Sequence, residues 1–172
     1  MTAKNFSLWL KGMRMQFKTL SLIVLTALFF THTIQAQSLE LTTDESNFDD
    51  EILELVNDHR HEMKLAPLEI SEGMNHIAKL HSQNMAKGSV EFGHLGFPVR
   101  CSKARIVLKG GNLCAENVAM GQKNAQRVFL AWMNSPGHRA NIEKARVTHM
   151  GFGFAQNRAG KYFWTQLFLE ER

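Results

Sequence analysis

The sequence predicts an α+β fold, with helices packed on a mostly antiparallel sheet. Two observations carry that class. Apolar residues recur at helical spacing in the segments 48–88 and 124–142, and the period then shortens to two over 150–169.

The elements follow in order. Phe48, Ile52, Leu55, Val56, His59 and Met63 form the apolar face of a first helix. Ser46 suits its N-cap, and Asp49, Asp50 and Glu51 lie in its first turn, where the helix dipole favours anions. Pro67 ends it. Ser71 caps a second helix, in which Met74, Ile77, Ala78, His81 and Met85 share a face and Gly88 supplies the stop. Residues 89–121 read as irregular and Gly-rich, and they hold both cysteines. Asn124 caps a third helix with Val128, Phe129, Trp132 and Met133 inward, and Ser135-Pro136 reads as the N-cap and first position of a shorter one. Met150, Phe152 and Phe154 then alternate with small residues, Asn157 to Gly160 supplies a turn, and Lys161 to Leu169 alternates again. That is a C-terminal β-hairpin.

The N-terminus has a different character. Lys4, Lys11, Arg14 and Lys18 precede an apolar run from Leu20 to Phe30, and Ala36 stands at the end of Ile34-Gln35-Ala36. This is the pattern of a cleavable secretory signal over 1–36, with Met15 as an alternative start. The run is too short for a spanning helix, which needs roughly 20 apolar residues. A lead-in over 37–47 and one domain over 48–170 are expected to follow, with no membrane anchor once the signal is cut. The expected location is secreted or periplasmic.

Charge narrows the function classes. The whole chain carries 20 basic and 16 acidic residues. The four excess basic residues all precede residue 37, so the remainder holds 16 of each and is neutral. A nucleic-acid partner is therefore not expected. Cys101 and Cys114 are an even pair in an exported chain, which favours a disulfide. Two free buried thiols, or a thiolate metal ligand, are the alternatives. The bridge would stabilise the fold by roughly 3 kcal/mol.

Three polar residues stand in segments unlike ordinary core: His94 after Gly93, Glu116 within Ala115-Glu116-Asn117-Val118-Ala119, and His138 within Ser135-Pro136-Gly137-His138-Arg139. Two imidazoles and a carboxylate suit zinc with a fourth position open. By spacing alone the three match no local metal motif, and each histidine taken alone reads first as a surface or core-satisfied one.

The wording and order of these segments carry further. With Trp132-Met133-Asn134 leading into the His138 segment, then Gly151-Phe152-Gly153 and Tyr162-Phe163-Trp164-Thr165-Gln166, the chain resembles the CAP superfamily of cysteine-rich secretory proteins, venom allergens and pathogenesis-related proteins. It is most similar to the short bacterial branch. The resemblance covers about 48–170. It implies a three-layer α-β-α sandwich with an open cleft that, in the larger branch, holds two His and two Glu able in some members to take a divalent cation. Matched singly, His94 is the first His, Glu116 the first Glu and His138 the second His. The second Glu position falls on Ser135, a poor zinc ligand better read as an N-cap whose hydroxyl serves backbone amides.

Three function readings follow. The foremost is a monomeric, non-catalytic module binding a small molecule, lipid or extracellular protein through the cleft, with low-affinity zinc or another divalent cation as the expected cofactor. The second is a metal-assisted hydrolase in which Glu116 and His138 are the catalytic candidates and His94, Glu116 and His138 hold the metal. A Ser135–His138 nucleophile pair comes third. Whether the protein is an enzyme is thus left open. Asn57, His59 and Arg60 are expected to face sheet or solvent, His81 to be a core histidine, and His61, His76 and His149 to lie on surfaces or helix flanks.

Overall fold

Helix α1 occupies 48–62 in the computed structural model, which describes residues 48–171. The predicted N-cap Ser46, the lead-in and the signal segment lie outside the described residues. Along α1 the buried row is Phe48, Ile52, Val56 and Arg60, four residues apart, so the apolar stripe ends in a buried guanidinium. Strand β1 (Glu69–Ile70) leads into α2 (Glu72–Lys87), which ends at Gly88 in the left-handed conformation. Then come α3 (Phe97–Val107), β2 (Cys114–Met120), α4 (Ala125–Met133), α5 (Pro136–Ile142), β3 (His149–Gln156) and β4 (Tyr162–Leu169).

The hairpin forms as the alternation predicts. β3 and β4 pair antiparallel from His149↔Leu169 to Gln156↔Tyr162. Asn157 Oδ1 accepts from the amides of Ala159 and Lys161 to close the turn. The four-stranded sheet runs β1-β3-β4-β2. β2 pairs antiparallel with β4, and β1 pairs parallel with β3, so the sheet is mixed but mostly antiparallel. No helix among the described residues is long and apolar enough to cross a membrane.

The two faces of the sheet are covered separately. Trp164, Phe168, Met150 and Phe152 join α1, α4 and α5 residues including Ile52, Val56, Val128, Trp132 and Ile142 in one core. Leu167 and Leu169, displaced by one position along β4, pack with Met74, Ala78 and Ala104 of α2 and α3. The period of two thus sorts one strand's side chains between two helical layers. Gly151 and Gly153 explain the small residues of β3. A Cβ on Gly151 would lie 2.3–2.4 Å from Met74 atoms, and one on Gly153 would lie 2.2 Å from the Lys79 amide. Helix α2 rests directly on β3 there, and its Asn75 Oδ1 accepts from the Phe152 amide at 2.8 Å.

Two expectations need correction. The segment 89–121 is not irregular: it contains α3 and β2. Ser71 and Ser135 do occupy N-cap positions, but neither makes a side-chain capping hydrogen bond, unlike Asn124, whose Oδ1 accepts from the Arg127 amide. Arg60 is also more than a residue facing the sheet. It is fully buried and donates to the carbonyls of Ala66, Ile142, Lys144 and Val147 at 2.8, 2.7, 3.0 and 3.4 Å.

Candidate functional site

β2 is an edge strand, and the candidate residues gather around its middle. Its side chains alternate. Ala115 and Ala119 join the core under α1 and α4, whereas Cys114 and Val118 join the clusters on the α2 and α3 side. By the same alternation Glu116 points with Cys114 and Val118. Its side chain is 1% exposed. A carboxylate so buried is costly unless paired.

Arg100 of α3 supplies the pairing. Its Nε donates to Glu116 Oε2 at 2.6 Å and its Nη2 to Oε1 at 2.8 Å, the parallel two-bond arrangement that guanidinium and carboxylate geometry favours. Nη1 donates to the Leu95 carbonyl at 2.8 Å. His94 Nδ1 donates to Glu116 Oε1 at 2.9 Å, so that oxygen receives two donors. The elements that carry the ion pair are joined covalently. Cys101, next to Arg100, is bonded to Cys114, two residues before Glu116, with Cα atoms 6.1 Å apart. The disulfide expected from the cysteine count is therefore formed, and it clamps α3 to β2 at the site.

His94 is the exposed member, with about half its side chain accessible. The loop that carries it is held from behind by His81, buried on α2, whose Nε2 donates to the Gly93 carbonyl at 2.9 Å. His81 is the core histidine its spacing suggested, and it positions the loop presenting His94.

His138 reaches the same region from α5. A ladder of amides fixes that helix to β2. Asn117 Nδ2 donates to the His138 carbonyl at 3.2 Å and to Gln166 Oε1 at 3.1 Å. Asn141 Nδ2 donates to Asn117 Oδ1 at 2.9 Å and to the Glu116 carbonyl at 3.2 Å. Each amide group has both its N–H donors satisfied, which makes a rigid link of a buried polar network. Asn117 and Asn141 lay inside the motifs read from the sequence, but their roles were not legible there. Arg100 was missed altogether; Pro98 in the first turn of its helix is the one local signal.

The electrostatics favour neutral imidazoles. Burial, and after it the neighbouring His94, hold His138 below the ordinary histidine range. Burial likewise lowers His81; the Gly93 bond and Glu116 oppose this, while Arg100 and His94 add to it. A histidine whose native pKa is lowered binds fewer protons folded than unfolded. Its contribution is present above the unfolded value and is lost as pH falls through the folded one. The melting temperature is accordingly expected to drop as pH falls below about 6.5, the ordinary histidine value, and His81→Gln to flatten that slope. Calorimetric scans at stepped pH test this, and an unchanged slope in His81→Gln would refute it. Glu143, lowered by Arg139 and then His59, loses its pairing only in the more acidic carboxylate range.

The donor set does not fit a three-ligand metal site as it stands. Among the described residues no group of three His, Cys, Asp or Glu is arranged to hold a metal ion. Glu116 is committed to Arg100 and His94. Ser135, at the second acidic position, makes no capping bond, and no hydrogen bond joins it to His138 among the described residues. A hollow of about 390 Å³ between α2 and α3 adjoins the site, sharing His81 and Arg100. A second, of about 610 Å³, lies beside the disulfide, where Arg105 serves the Gly111 and Asn112 carbonyls and Arg146 pairs with Glu170.

Comparison with known proteins agrees with this architecture. The model of the cysteine-rich secretory protein family matches residues 53–168. Among curated proteins, YkwD of Bacillus subtilis (strain 168) is 35% identical over 127 residues, covering 72% of this chain and 48% of YkwD. An extracellular protein containing an SCP domain from Bacillus anthracis str. Ames superposes with a TM-score of 0.59 at 26% identity, over 71% of this chain and 40% of that one. An outer surface protein of Borrelia burgdorferi has a TM-score of 0.65 at 20% identity, over 75% and 96% of the two chains, a likeness of fold. The chain spans less than half the length of the two Bacillus proteins. With helices covering both faces of the sheet and the family match across most of the domain, the chain belongs to the CAP, or cysteine-rich secretory protein, family.

Proposed function

We propose that this chain is an exported CAP-domain module that binds a ligand or partner at the β2 edge without catalysing a reaction on it. The observation that carries this reading is the commitment of Glu116. A carboxylate whose oxygens accept from Arg100 and His94 is a poor general base, because a proton would have to displace a guanidinium. What the site offers instead is a rigid frame under an exposed His94, with His138 beside it. A small molecule, a lipid or an extracellular protein remain the candidate partners. Export is supported by the N-terminal signal pattern, by the disulfide, and by the extracellular description of the Bacillus anthracis relative.

A metal reading survives in a reduced form. His94 gives Nδ1 to a carboxylate, as metal-binding histidines commonly do, which turns Nε2 outward as the ligand atom. Zinc or another divalent cation would then be held by His94 and His138 alone, weakly, with Glu116 orienting the ring. Titration calorimetry of chelator-treated protein with zinc at neutral pH is the test. Weak, saturable binding that disappears in both His94→Ala and His138→Ala is expected, and acidification should release the ion. No heat and no thermal shift with excess zinc would reject the metal reading and leave the metal-free module. A hydrolytic activity lost in His138→Ala and restored by metal in the parent would overturn the non-catalytic reading itself.

A further inference from the structure

We propose that Arg100 is the resident cation of the cleft: its guanidinium occupies the place beside Glu116 that a divalent ion would need, and so withholds the carboxylate from metal. Three features point to this. The pair is dry, with side-chain exposures of 11% for Arg100 and 1% for Glu116, so the carboxylate needs a permanent counter-charge. Its partner grips both oxygens and is itself fixed by the Leu95 carbonyl and by the adjacent disulfide. One carboxylate and one guanidinium cancel, so the buried floor is neutral without any ion from solution. A cation approaching Glu116 would meet a fixed positive charge and an oxygen already accepting two hydrogen bonds. The inference deepens the cleft reading above and rests on it only for the placing of His94 and His138.

Removing the guanidinium should free Glu116 to turn away from its His94 bond and join the two imidazoles around one ion, an arrangement the described residues do not hold with Arg100 in place. Zinc titration of the parent and of Arg100→Met is the direct experiment. Arg100→Met is expected to bind zinc roughly tenfold more tightly or better. The gain should vanish when Glu116→Gln is added, and Arg100→Lys, which keeps the charge, should show none. If Arg100→Met is unfolded without metal, excess zinc should refold it, read by circular dichroism, because binding then supplies folding free energy. The proposal is overturned by a folded Arg100→Met with no more affinity than the parent, by an unfolded one that zinc fails to refold, or by a gain that survives Glu116→Gln. The two readings fail separately. A parent that binds no zinc beside an Arg100→Met that does would remove the two-histidine metal reading and support this one.

Discussion

Arg100→Ala is expected to destabilise the domain by about 3–5 kcal/mol, and Glu116→Ala by a similar amount, because each leaves the other charge buried and unpaired. The pair lies in a dry site, so solvent screening does little to soften the loss. The double replacement Arg100→Met/Glu116→Leu should cost less than the two single losses together, since it removes both charges and fills the space with apolar atoms. Urea unfolding of the parent, Arg100→Met, Glu116→Leu and the double replacement gives the coupling energy. Single losses under about 1 kcal/mol would mean that water reaches the pair, as it does in exposed salt bridges. The coupling also bears on function. His94 takes its orientation from Glu116 Oε1, so a site that survives without the pair would have to orient its exposed imidazole by other means.

How much of this was legible in the sequence depends on which residues carry each element. The hairpin was readable because Phe152 and Phe154, two apart, and Trp164 and Phe168, four apart, are large and face one layer, with a turn between their strands. Helix α3 was not, because past Phe97 its large apolar residues face the wrong way for a pattern. Val99, Ile106 and Val107 are exposed, while its inward face is made of the small Cys101 and Ala104 and the charged Arg100. β2 was hidden for a related reason: Glu116 and Asn117 are buried polar residues in mid-strand, and they break the alternation of apolar with exposed polar positions. Strand β1 is two residues long, too short for any period. For the site, His94, Glu116 and His138 were found through the order of their motifs. What joins them is long-range pairing between α3 and β2, and local spacing carries no record of that.

The last of the large effects concerns Arg60, where the expected loss is again about 3–5 kcal/mol, for Arg60→Met. The side chain crosses from the end of α1 to the segment after α5. It donates to the carbonyls of Ile142 and Lys144 there, and to those of Ala66 and Val147 on either side. Ile142 is the last residue of α5, whose terminal carbonyls have no partner within the helix. A buried cation at that end satisfies them and complements the helix dipole. Methionine would fill much of the volume but leave several buried carbonyls without a donor, and each such loss costs about 1–3 kcal/mol before relaxation. Arg60→Lys should recover less than half of the stability, since one ammonium cannot reach carbonyls spread along the guanidinium's fork. The same bolt holds the helix that carries His138. Hydrogen exchange at the α5 amides is therefore expected to quicken in Arg60→Met beyond what the global loss of stability explains. A loss below about 1 kcal/mol with unchanged α5 exchange would show that water replaces the guanidinium at little cost.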